Sequence, residues 1–407
     1  MKVRNCIVVC DTANHSGGVS AVILEQALGL QARGIAVHVF AAFGPVDAAL
    51  AKASTQVHCV YAKNPGRNYR TEIWNTQVAR QFGKFLQAFD VTDSVVHIHA
   101  LAMGLTPAIA GPLRRKKIRF IITAHDAGWA CPTGCFYNFQ THRYCPLQPM
   151  SVACLLTHCD KRTPLHKAYK VIKLVVLDQV SRLKRDAAAI LTPSEHLRQR
   201  LLARVPVGTP VITLQNPVHA QNAQGAQGAL QQPVPAHRGQ AFLYVGRLYE
   251  EKGIAELLQA IAAHYPVVVV GNGPLQHRLA QRYPQVVFRG WLSPRQVAAE
   301  MRKAIAVVLP TVSMEAFGLV VAEALAQGVP VIVSKRAGAC SMVEPGFNGF
   351  VVDMERPEQL LHSCQQLMDP QQAARMARNA YRRYWANPLS TQAYTDGLIR
   401  VLEGNAA

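Results

Sequence analysis

The chain lacks several features that would place it in common protein classes. It has no run of about eighteen or more apolar residues, so the sequence predicts no membrane-spanning helix. The apolar run at its start, residues 6–10, is too short for a signal peptide, and we expect a cytoplasmic protein. It also lacks the G-x-G-x-x-G fingerprint, paired C-x2-C zinc knuckles and an aromatic RNA-binding motif. These absences argue against an integral membrane protein and against a typical dinucleotide-binding or RNA-binding module.

Acidic side chains are scarce, because 24 Asp and Glu residues face 43 Lys and Arg residues, for a formal net charge of +19. Residues 1–215 hold 26 basic and 11 acidic residues, a net charge of +15, whereas the remainder holds 17 and 13, a net charge of +4. A basic half is compatible with nucleic acid, an anionic membrane surface or an acidic substrate. A solvated surface remains the simplest explanation of any single basic run.

With 407 residues, half of them hydrophobic, the chain is long enough for two domains with separate cores. Strand, glycine turn, helix and strand follow one another over residues 5–40, which is the βαβ pattern of the doubly wound α/β class. We therefore predict the following parts: a Rossmann-like first domain over 1–217, a low-complexity linker or mobile loop over 218–240, a second α/β domain over 241–384, and a C-terminal helix over 385–407 that crosses back to the first domain.

Residues 127–185 interrupt the α/β pattern and are predicted to be an insertion in the first domain. Five of the ten cysteines fall within one 29-residue stretch inside this insertion. The pattern of residues 169–185 predicts an amphipathic basic helix. Because disulfides are rare in a reducing compartment, the cysteines indicate either metal binding or unpaired thiols.

Polar residues and glycines follow the predicted strands of the first domain. Gly17 and Gly18 lie in the turn after the first strand, where paired glycines let the backbone approach a phosphate. His99 ends one later strand and His125 follows the next, with Asp126 beside it. Ligands of open α/β sheets bind beyond the carboxyl ends of strands, so these residues are candidates. A plain tight turn and structural histidines are the alternatives.

Two cations bracket one loop of the second domain. Arg247 and Lys252 follow a predicted strand, residues 242–245, by two and seven positions. Two cations converging there would neutralise a diphosphate and stabilise a leaving group whose charge rises in the transition state. Two unrelated surface cations are the alternative.

Two carboxylates flank a predicted helix N-terminus further along the second domain. Residues 318–327 predict a buried, almost wholly apolar helix that contains Glu323, and Glu315 stands eight residues earlier. At helical rise eight residues span about 12 Å. The helix N-terminus between them suits a phosphate. The segment therefore offers, in order along the chain, a carboxylate that accepts hydrogen bonds, an anion site and a second such carboxylate. A nucleotide sugar fits this order, because its hydroxyls donate at both ends and its middle is negative.

Three motifs of the second domain resemble those of the family-4 retaining glycosyltransferases: Gly246-Arg-Leu-x3-Lys252-Gly253, Gly271-x-Gly273-Pro274 and Glu315-x7-Glu323. The Gly17-Gly18 turn and the strand-end His125 are similar to the first domain of that family. The resemblance implies a GT-B architecture, an α/β fold in which two Rossmann-like doubly wound domains face a cleft. It places the nucleotide-sugar donor on the second domain and the acceptor mainly on the first.

The resemblance also implies a role for each matching residue. Glu315 would hold sugar hydroxyls, Glu323 would hold ribose hydroxyls, and Arg247 and Lys252 would hold the diphosphate. His125 would lie near the reacting carbon. The remaining donor contacts are implied for Gly17, Gly18, Gly246, Gly273, Trp291, Leu292, Phe317, Gly318 and Leu319. The family pattern implies front-face transfer rather than a carboxylate nucleophile, with no metal or other cofactor required for catalysis.

The cysteines are similar to those of a bacterial subset of the family that carries a cysteine-rich insertion. Four thiolates would satisfy a closed tetrahedral zinc site, and the preferred set is Cys131, Cys145, Cys154 and Cys159. Such a zinc would be structural. Buried or loosely exposed thiols without metal are the alternative.

We therefore expect a retaining hexosyltransferase that acts on a glycan or lipid-linked acceptor in cell-envelope polysaccharide biosynthesis, such as that of lipopolysaccharide. The basic first domain fits peripheral contact with the anionic inner face of the cytoplasmic membrane. The alternatives are a glycosyltransferase with a small soluble acceptor and a zinc-bearing nucleic-acid-binding protein. The second of these leaves Arg247, Lys252, Glu315 and Glu323 unexplained, so no nucleic-acid partner is expected.

Overall fold

A computed structural model describes residues 2–14, 17–64, 66, 69–101, 103–218 and 239–405. The predicted linker over 218–240 therefore lies almost entirely outside the described residues. The chain divides into two compact units: the first holds Met1–Gly134, Leu147–Pro217 and Ser390–Ala407, and the second holds Cys135–Pro146 and Val218–Leu389. No described helix is both long and apolar enough to cross a bilayer.

The described part of the first unit contains a parallel seven-stranded sheet in the order β3-β2-β1-β4-β5-β8-β9. Its strands are β1 Asn5–Thr12, β2 Ala36–Phe43, β3 Gln56–Tyr61, β4 Ser94–Ile98, β5 Phe120–Thr123, β8 Ile190–Thr192 and β9 Val211–Thr213. The order reverses between β1 and β4, which is the doubly wound arrangement predicted from the sequence. The strands β1, β4 and β5 are buried along most of their length, as expected for the centre of a parallel sheet covered on both faces, whereas the edge strands β3 and β9 are mostly half-buried.

The described α-helices of the first unit before residue 217 cover this sheet and form the insertion. They are α1 Gly18–Ala32, α2 Ala48–Lys52, α3 Tyr69–Ile73, α4 Thr76–Leu86, α5 Ala110–Lys116, α6 Val152–Leu156, α7 Pro164–Val175, α8 Leu183–Asp186 and α9 Glu195–Leu202. The single basic helix predicted over 169–185 is wrong. Helix α7 runs into a π-helical turn, Val176–Val180, and the chain breaks at Arg182, whose φ is 54°. The break lets Lys184 turn back to pair with Asp178 at 2.6 Å.

The described part of the second unit contains a parallel six-stranded sheet in the order β12-β11-β10-β13-β14-β15. Its strands are β10 Ala241–Val245, β11 Val267–Val270, β12 Val287–Gly290, β13 Ala304–Leu309, β14 Val331–Ser334 and β15 Gly349–Val352. Its helices are α10 Ile254–Ile261, α11 Gln276–Arg282, α12 Pro294–Met301, α13 Leu319–Ala326, α14 Pro357–Leu367 and α15 Pro370–Ala386. Successive residues of β10 enter cores on opposite faces, because Phe242 and Tyr244 join one apolar cluster and Leu243 joins the other.

The last helix, α16 Thr391–Glu403, belongs to the first unit, whereas the chain up to Leu389 stays with the second. Helix α16 packs on α1, where the hydroxyl of Tyr394 donates to Gln26 at 3.4 Å and Arg33 pairs with Asp396. The first unit therefore takes up residues 390–407, whereas residues 385–389, which the sequence prediction included in the returning helix, stay with the second unit.

The insertion does not stay within the first unit. The Cys135–Pro146 segment, which contains the antiparallel pair β6 Tyr137–Asn138 and β7 Arg143–Tyr144, belongs to the second unit. Tyr137, 1 % exposed, is buried in a core cluster of that unit. The prediction that residues 127–185 form one insertion of the first domain is corrected on this point, because burying the Tyr137 side chain there ties the hairpin to the second unit.

Candidate functional site

The candidate residues of the second unit lie in loops that follow its parallel strands. Arg247 and Lys252 follow β10, Gly273 follows β11, Trp291 follows β12, and Glu315 follows β13. Because the carboxyl ends of parallel strands share one edge of a sheet, these loops share one side of the unit. The candidate residues that the sequence analysis assigned to this unit therefore lie at one edge of its sheet.

The connection from β10 to α10 is tight and carries both cations. The hydroxyl of Tyr244 donates to the carbonyl of Arg247 at 2.8 Å, and the Arg247 guanidinium lies 5.2 Å from the ring centroid of Tyr249. Gly253 ends the 3-10 turn with φ 71°, and a Cβ there would lie 1.9 Å from the carbonyl oxygen of Pro310. Only glycine allows this close approach, which holds the turn after β10 against the start of the loop that follows β13. This loop, residues 310–318, is called the β13 loop.

Glu315 is held by backbone on both sides and paired through its side chain. Its N–H donates to the carbonyl of Arg336 at 3.1 Å, and its own carbonyl accepts from the N–H of Gly338 at 2.9 Å. Its carboxylate pairs with the ammonium of Lys252, and both side chains are about one fifth exposed, at 22 % and 20 %. The two residues that the sequence placed at either end of a diphosphate and sugar are therefore in direct contact.

Helix α13 begins immediately after Gly318, whose φ of 101° makes it a left-handed N-cap, and ends before Gly328. The predicted bounds of 318–327 are thus confirmed to within one residue at each end. The expectation of about 12 Å between Glu315 and Glu323 assumed helical rise across the whole interval. Only the part from Leu319 onward is helical, so that distance does not follow.

Glu323 lies within α13 among buried apolar neighbours. Burial raises the pKa of its carboxyl above the ordinary value of 4.5. A raised pKa means that the surroundings disfavour the carboxylate, and a ligand that donates hydrogen bonds to it would relieve that cost. Ribose hydroxyls are donors of this kind.

The loops after β11 and β12 complete this edge of the sheet. Gly271 donates from its N–H to the carbonyl of Gly290 at 2.8 Å, and Gly246 donates to Val270 at 3.0 Å. Trp291 is 72 % exposed, and Leu292 is partly buried beside it. An exposed indole at the edge of a ligand site is available for stacking on a base.

The candidate residues of the first unit follow its strands in the same way. Gly17, with φ 139°, caps α1, which starts at Gly18 after β1. His125 follows β5, and its Nε2 lies 2.8 Å from Nδ1 of His99, which follows β4. The two imidazole rings are stacked, with centroids 5.1 Å apart and planes 17° apart. His97 is the third member of the group and lies 2.7 Å from the hydroxyl of Thr123.

Burial keeps these three histidines neutral. It lowers the pKa of His97 to about 3 and that of His125 to about 4, and it lowers the pKa of His99 well below 6.5. Nε2 of His99 is buried without a hydrogen-bond partner among the described residues. Leaving this nitrogen as an unpaired acceptor costs less free energy than leaving an unpaired N–H donor there. The favoured tautomer of His99 therefore carries its proton on Nδ1 and donates through it. His125 then accepts at Nε2 and carries its own proton on Nδ1.

Asp11 is a further candidate residue of the first unit that the sequence analysis missed. Its buried carboxylate accepts hydrogen bonds from the backbone N–H groups of Met103, Gly104 and Leu105 at 3.1, 2.9 and 2.9 Å. The loop after β4 is thereby fixed to the end of β1, close in sequence to His99. A carboxylate placed at the end of a predicted strand was the available signal.

The predicted zinc ligands are not assembled. Cys131, Cys154 and Cys159 belong to the first unit and Cys145 to the second. Among the described residues no group of three or more His, Cys, Asp or Glu side chains could hold a metal ion. The Sγ of Cys131 instead lies 3.2 Å from the hydroxyl of Thr133. The residues present do not fit a closed tetrahedral site in this structure, and metal analysis of the purified protein would test the prediction.

Arg336 is a second residue that the sequence analysis missed. It follows β14 at the same sheet edge, is 8 % exposed, and donates to the carbonyl of Val312 at 2.9 Å and to Glu355 at 2.8 Å. Its guanidinium lies 4.3 Å from the ring centroid of Tyr144. The signal was a cation directly after a strand, as for Arg247.

Comparison with known proteins gives matches over both units. A model of Glycosyltransferase Family 4 matches residues 16–222, and a model of Glycosyl transferases group 1 matches residues 229–383. The D-rhamnosyltransferase WbpZ of Pseudomonas aeruginosa is 36 % identical over 152 residues, which is 35 % of this chain and 40 % of that protein. The lipopolysaccharide 1,6-galactosyltransferase of Salmonella typhimurium is 27 % identical over 173 residues, 39 % of this chain and 46 % of that protein. The chain spans less than half the length of these two relatives.

A structure of HepE from Anabaena in complex with UDP-glucose covers 98 % of this chain and 99 % of its own, with a TM-score of 0.66 and 16 % identity. This likeness shows the fold, which is that of the GT-B proteins, as the sequence resemblance implied. The match to residues 16–222 extends over just more than half of the 407 residues. The chain therefore belongs to Glycosyltransferase Family 4.

Proposed function

We propose that this protein is a retaining glycosyltransferase that moves a hexose from a nucleotide-diphosphate sugar to a hydroxyl group of a glycan or lipid-linked acceptor. The observation that carries the proposal is the ion pair of Lys252 and Glu315, on the sheet edge where Arg247 and the N-terminus of α13 also lie. Cation, carboxylate and helix N-terminus are the groups that a diphosphate joined to a sugar requires.

Donor binding would separate the roles of the pair. Lys252 and Arg247 would face the diphosphate, Glu315 would accept hydrogen bonds from the sugar hydroxyls, and Glu323 would accept from the ribose. The backbone N–H groups at the start of α13, at Leu319 and its neighbours, would complete the anion site. HepE, which shares the fold, has been solved with UDP-glucose, and this supports a nucleotide-sugar donor.

The transfer would proceed on one face of the sugar. The bond from the anomeric carbon to the diphosphate oxygen breaks, and a bond from the same carbon to the acceptor oxygen forms. The acceptor proton passes to the departing phosphate. Lys252 and Arg247 would stabilise the charge that develops on the leaving diphosphate, which is the main electrostatic contribution expected of the protein. The family resemblance implies that His125 lies near the reacting carbon, and a neutral imidazole there would donate a hydrogen bond rather than act as an acid.

The acceptor is proposed to belong to the cell envelope. One relative is the lipopolysaccharide 1,6-galactosyltransferase of Salmonella typhimurium, and this favours a similar acceptor. The insertion of the first unit supports a lipid-linked one, because Leu156 and Leu165 are each 82 % exposed and Ile172 is 51 % exposed. Leu165 and Ile172 are seven residues apart on α7 and share one face of it.

Helices α6 and α7 form one surface, because the ammonium of Lys167 is buried and donates to the carbonyls of Cys154 and Thr157 at the end of α6. Lys173 adds positive charge to α7, whereas Lys170 pairs with the buried carboxylate of Asp160 at 2.6 Å. Exposed leucines with flanking lysines are typical of helices that lie on an anionic leaflet. We name this the α6–α7 surface.

A thermal-shift panel against UDP, GDP, ADP and their sugars tests the proposal. One nucleotide class should raise the melting temperature by mass action, and the Glu323→Ala variant should lose that shift. Radiolabelled transfer to envelope glycolipids and to free sugars would then separate the lipid-linked from the soluble acceptor. No shift with any nucleotide sugar, with or without added acceptor, would overturn the proposal.

A further inference from the structure

The Cys135–Pro146 hairpin reaches the two parts of the second unit that carry Lys252 and Glu315. At one end, the carbonyl of Cys135 accepts a hydrogen bond from the N–H of Met314 at 2.8 Å, one residue before Glu315. This bond ties the hairpin directly to the backbone of the β13 loop. A displacement of the hairpin would therefore move the backbone next to Glu315.

The second contact is a stacked cation. The Tyr144 ring covers the guanidinium of Arg336 at 4.3 Å from its centroid, and Arg336 donates from Nη1 to the carbonyl of Val312 at 2.9 Å. The carbonyl of Arg336 in turn accepts from the N–H of Glu315 at 3.1 Å. Arg336 thus joins the hairpin to both ends of the loop segment that ends in Glu315.

The third contact is with the turn that carries Lys252. Nδ1 of His142 lies 3.8 Å from the carboxylate of Glu250, the first residue of the Glu250–Lys252 turn. Tyr137 is buried in the same apolar cluster as Leu248, which precedes that turn. The hairpin therefore touches the elements on both sides of the Lys252–Glu315 pair.

We infer that the Cys135–Pro146 hairpin is part of the donor site and positions the β13 loop, so that Tyr144 and Arg336 set the affinity for the nucleotide sugar through Glu315. Tyr144 and Arg336 are positioning residues, since they act through the loop. The identity of the ligand rests on the proposed function, whereas the positioning of the loop stands on the contacts alone.

Hydrogen exchange of the peptide that spans residues 311–318 tests the positioning. In Tyr144→Ala this peptide should exchange about tenfold faster, because a desolvated cation–π contact and its alignment of Arg336 are lost. Tyr144→Phe keeps the ring and should restore slow exchange. Arg143→Ala changes an exposed side chain of the same hairpin and serves as the matched control.

Donor kinetics of the same variants test the functional part. Tyr144→Ala should raise the donor KM about tenfold with a smaller change in kcat, and Arg336→Lys should do the same because lysine cannot stack or fork in this way. Unchanged exchange of the loop in both variants would overturn the inference. Faster exchange with an unchanged donor KM would also overturn it, because the hairpin would then be only a stabilising element.

A failure of the proposed function is distinguishable from a failure of this inference. If the wild-type protein binds no nucleotide sugar, the proposed function falls and the role in donor affinity falls with it. The exchange measurement still decides whether the hairpin holds the β13 loop.

Discussion

Lys252 and Glu315 lie 63 positions apart in the chain and form an ion pair that joins the loops after β10 and β13. Each side chain is only partly exposed, so the pair is less screened than a surface salt bridge. Its two members are expected to have different ligands in catalysis, the diphosphate for Lys252 and the sugar for Glu315.

The Lys252→Ala variant should lose transfer by about a hundredfold or more in kcat/KM, because one of the two cations that face the leaving diphosphate is removed. Lys252→Arg should keep part of the activity. A matched control is Lys303→Ala, which breaks an exposed pair with Glu300 at 2.8 Å in the same unit. Melting temperatures would confirm folding, and transfer at the wild-type rate in Lys252→Ala would contradict the site assignment.

Donor binding should release protons from Glu323 at mildly acidic pH. Burial raises the pKa of the Glu323 carboxyl above 4.5 in the folded protein. The folded state therefore binds this proton more tightly than the unfolded chain does, and the resulting stabilisation is lost as pH rises through the raised pKa. Ribose hydroxyls that donate to the carboxylate would lower that pKa again. Calorimetric titration in buffers of different ionisation heat, at about pH 5, would measure the release. Glu323→Gln should abolish it, and an identical proton release in this variant would contradict the prediction.

The histidine group should make the first unit sensitive to acid. The pKa of His97 is lowered to about 3 and that of His125 to about 4, so the unfolded chain takes up protons first as pH falls below 6.5. Stability is fully present above pH 6.5 and is lost progressively down to those values. The fall in melting temperature from neutral pH to about pH 5 should be shallower in His97→Gln.

The control for this experiment is His277→Gln, which replaces an exposed histidine of the second unit and should leave the slope unchanged. Equal slopes in wild type and His97→Gln would show that the buried group does not govern the acid response.

Gly253→Ala should destabilise the second unit more than Gly34→Ala destabilises the first. Both glycines are left-handed, with φ 71° and 74°, but only at Gly253 would a Cβ strike backbone, at 1.9 Å from the carbonyl oxygen of Pro310. Backbone strain alone costs about 1 kcal/mol, which is the expectation for Gly34→Ala. The clash should raise the cost at Gly253 to about 3 kcal/mol. Denaturant unfolding of each variant measures the difference, and equal costs would argue against the close contact.

The α6–α7 surface should bind anionic vesicles. Leu165→Asp combined with Ile172→Asp should reduce sedimentation with phosphatidylglycerol vesicles about tenfold, because apolar burial and charge attraction are both weakened. Val207→Asp alters a fully exposed residue of the same unit outside this surface and is the control. Undiminished sedimentation of the double variant would remove the argument for a lipid-linked acceptor from this surface.

The places of the candidate residues in the second unit could be predicted because their signals are local. Arg247 and Lys252 stand at fixed offsets from a strand whose residues are uniformly apolar, and Gly318 and Gly328 mark both ends of α13. Strand periodicity and glycine positions are set by the backbone within a few residues, so they survive without knowledge of the rest of the chain.

The structure alone decided where the insertion goes. Nothing near Tyr137 in the sequence indicates that its ring enters the core of the second unit, or that Tyr144 meets Arg336, 192 positions later. The same is true of the broken helix at Arg182, after which Lys184 pairs with Asp178. The partner of each of these side chains is set by burial and charge in the folded protein.

The amino-acid sequence by itself determined the two doubly wound units, their strand ends and the identity of the charged residues there, since these follow from apolar periodicity and glycine placement. Only the tertiary structure decided that Lys252 meets Glu315, that three histidines share one buried and neutral group, and that a hairpin of the insertion supports the β13 loop. The reason is physical: secondary structure is fixed by contacts between near neighbours, whereas pairing and burial of charge depend on residues that only folding brings together.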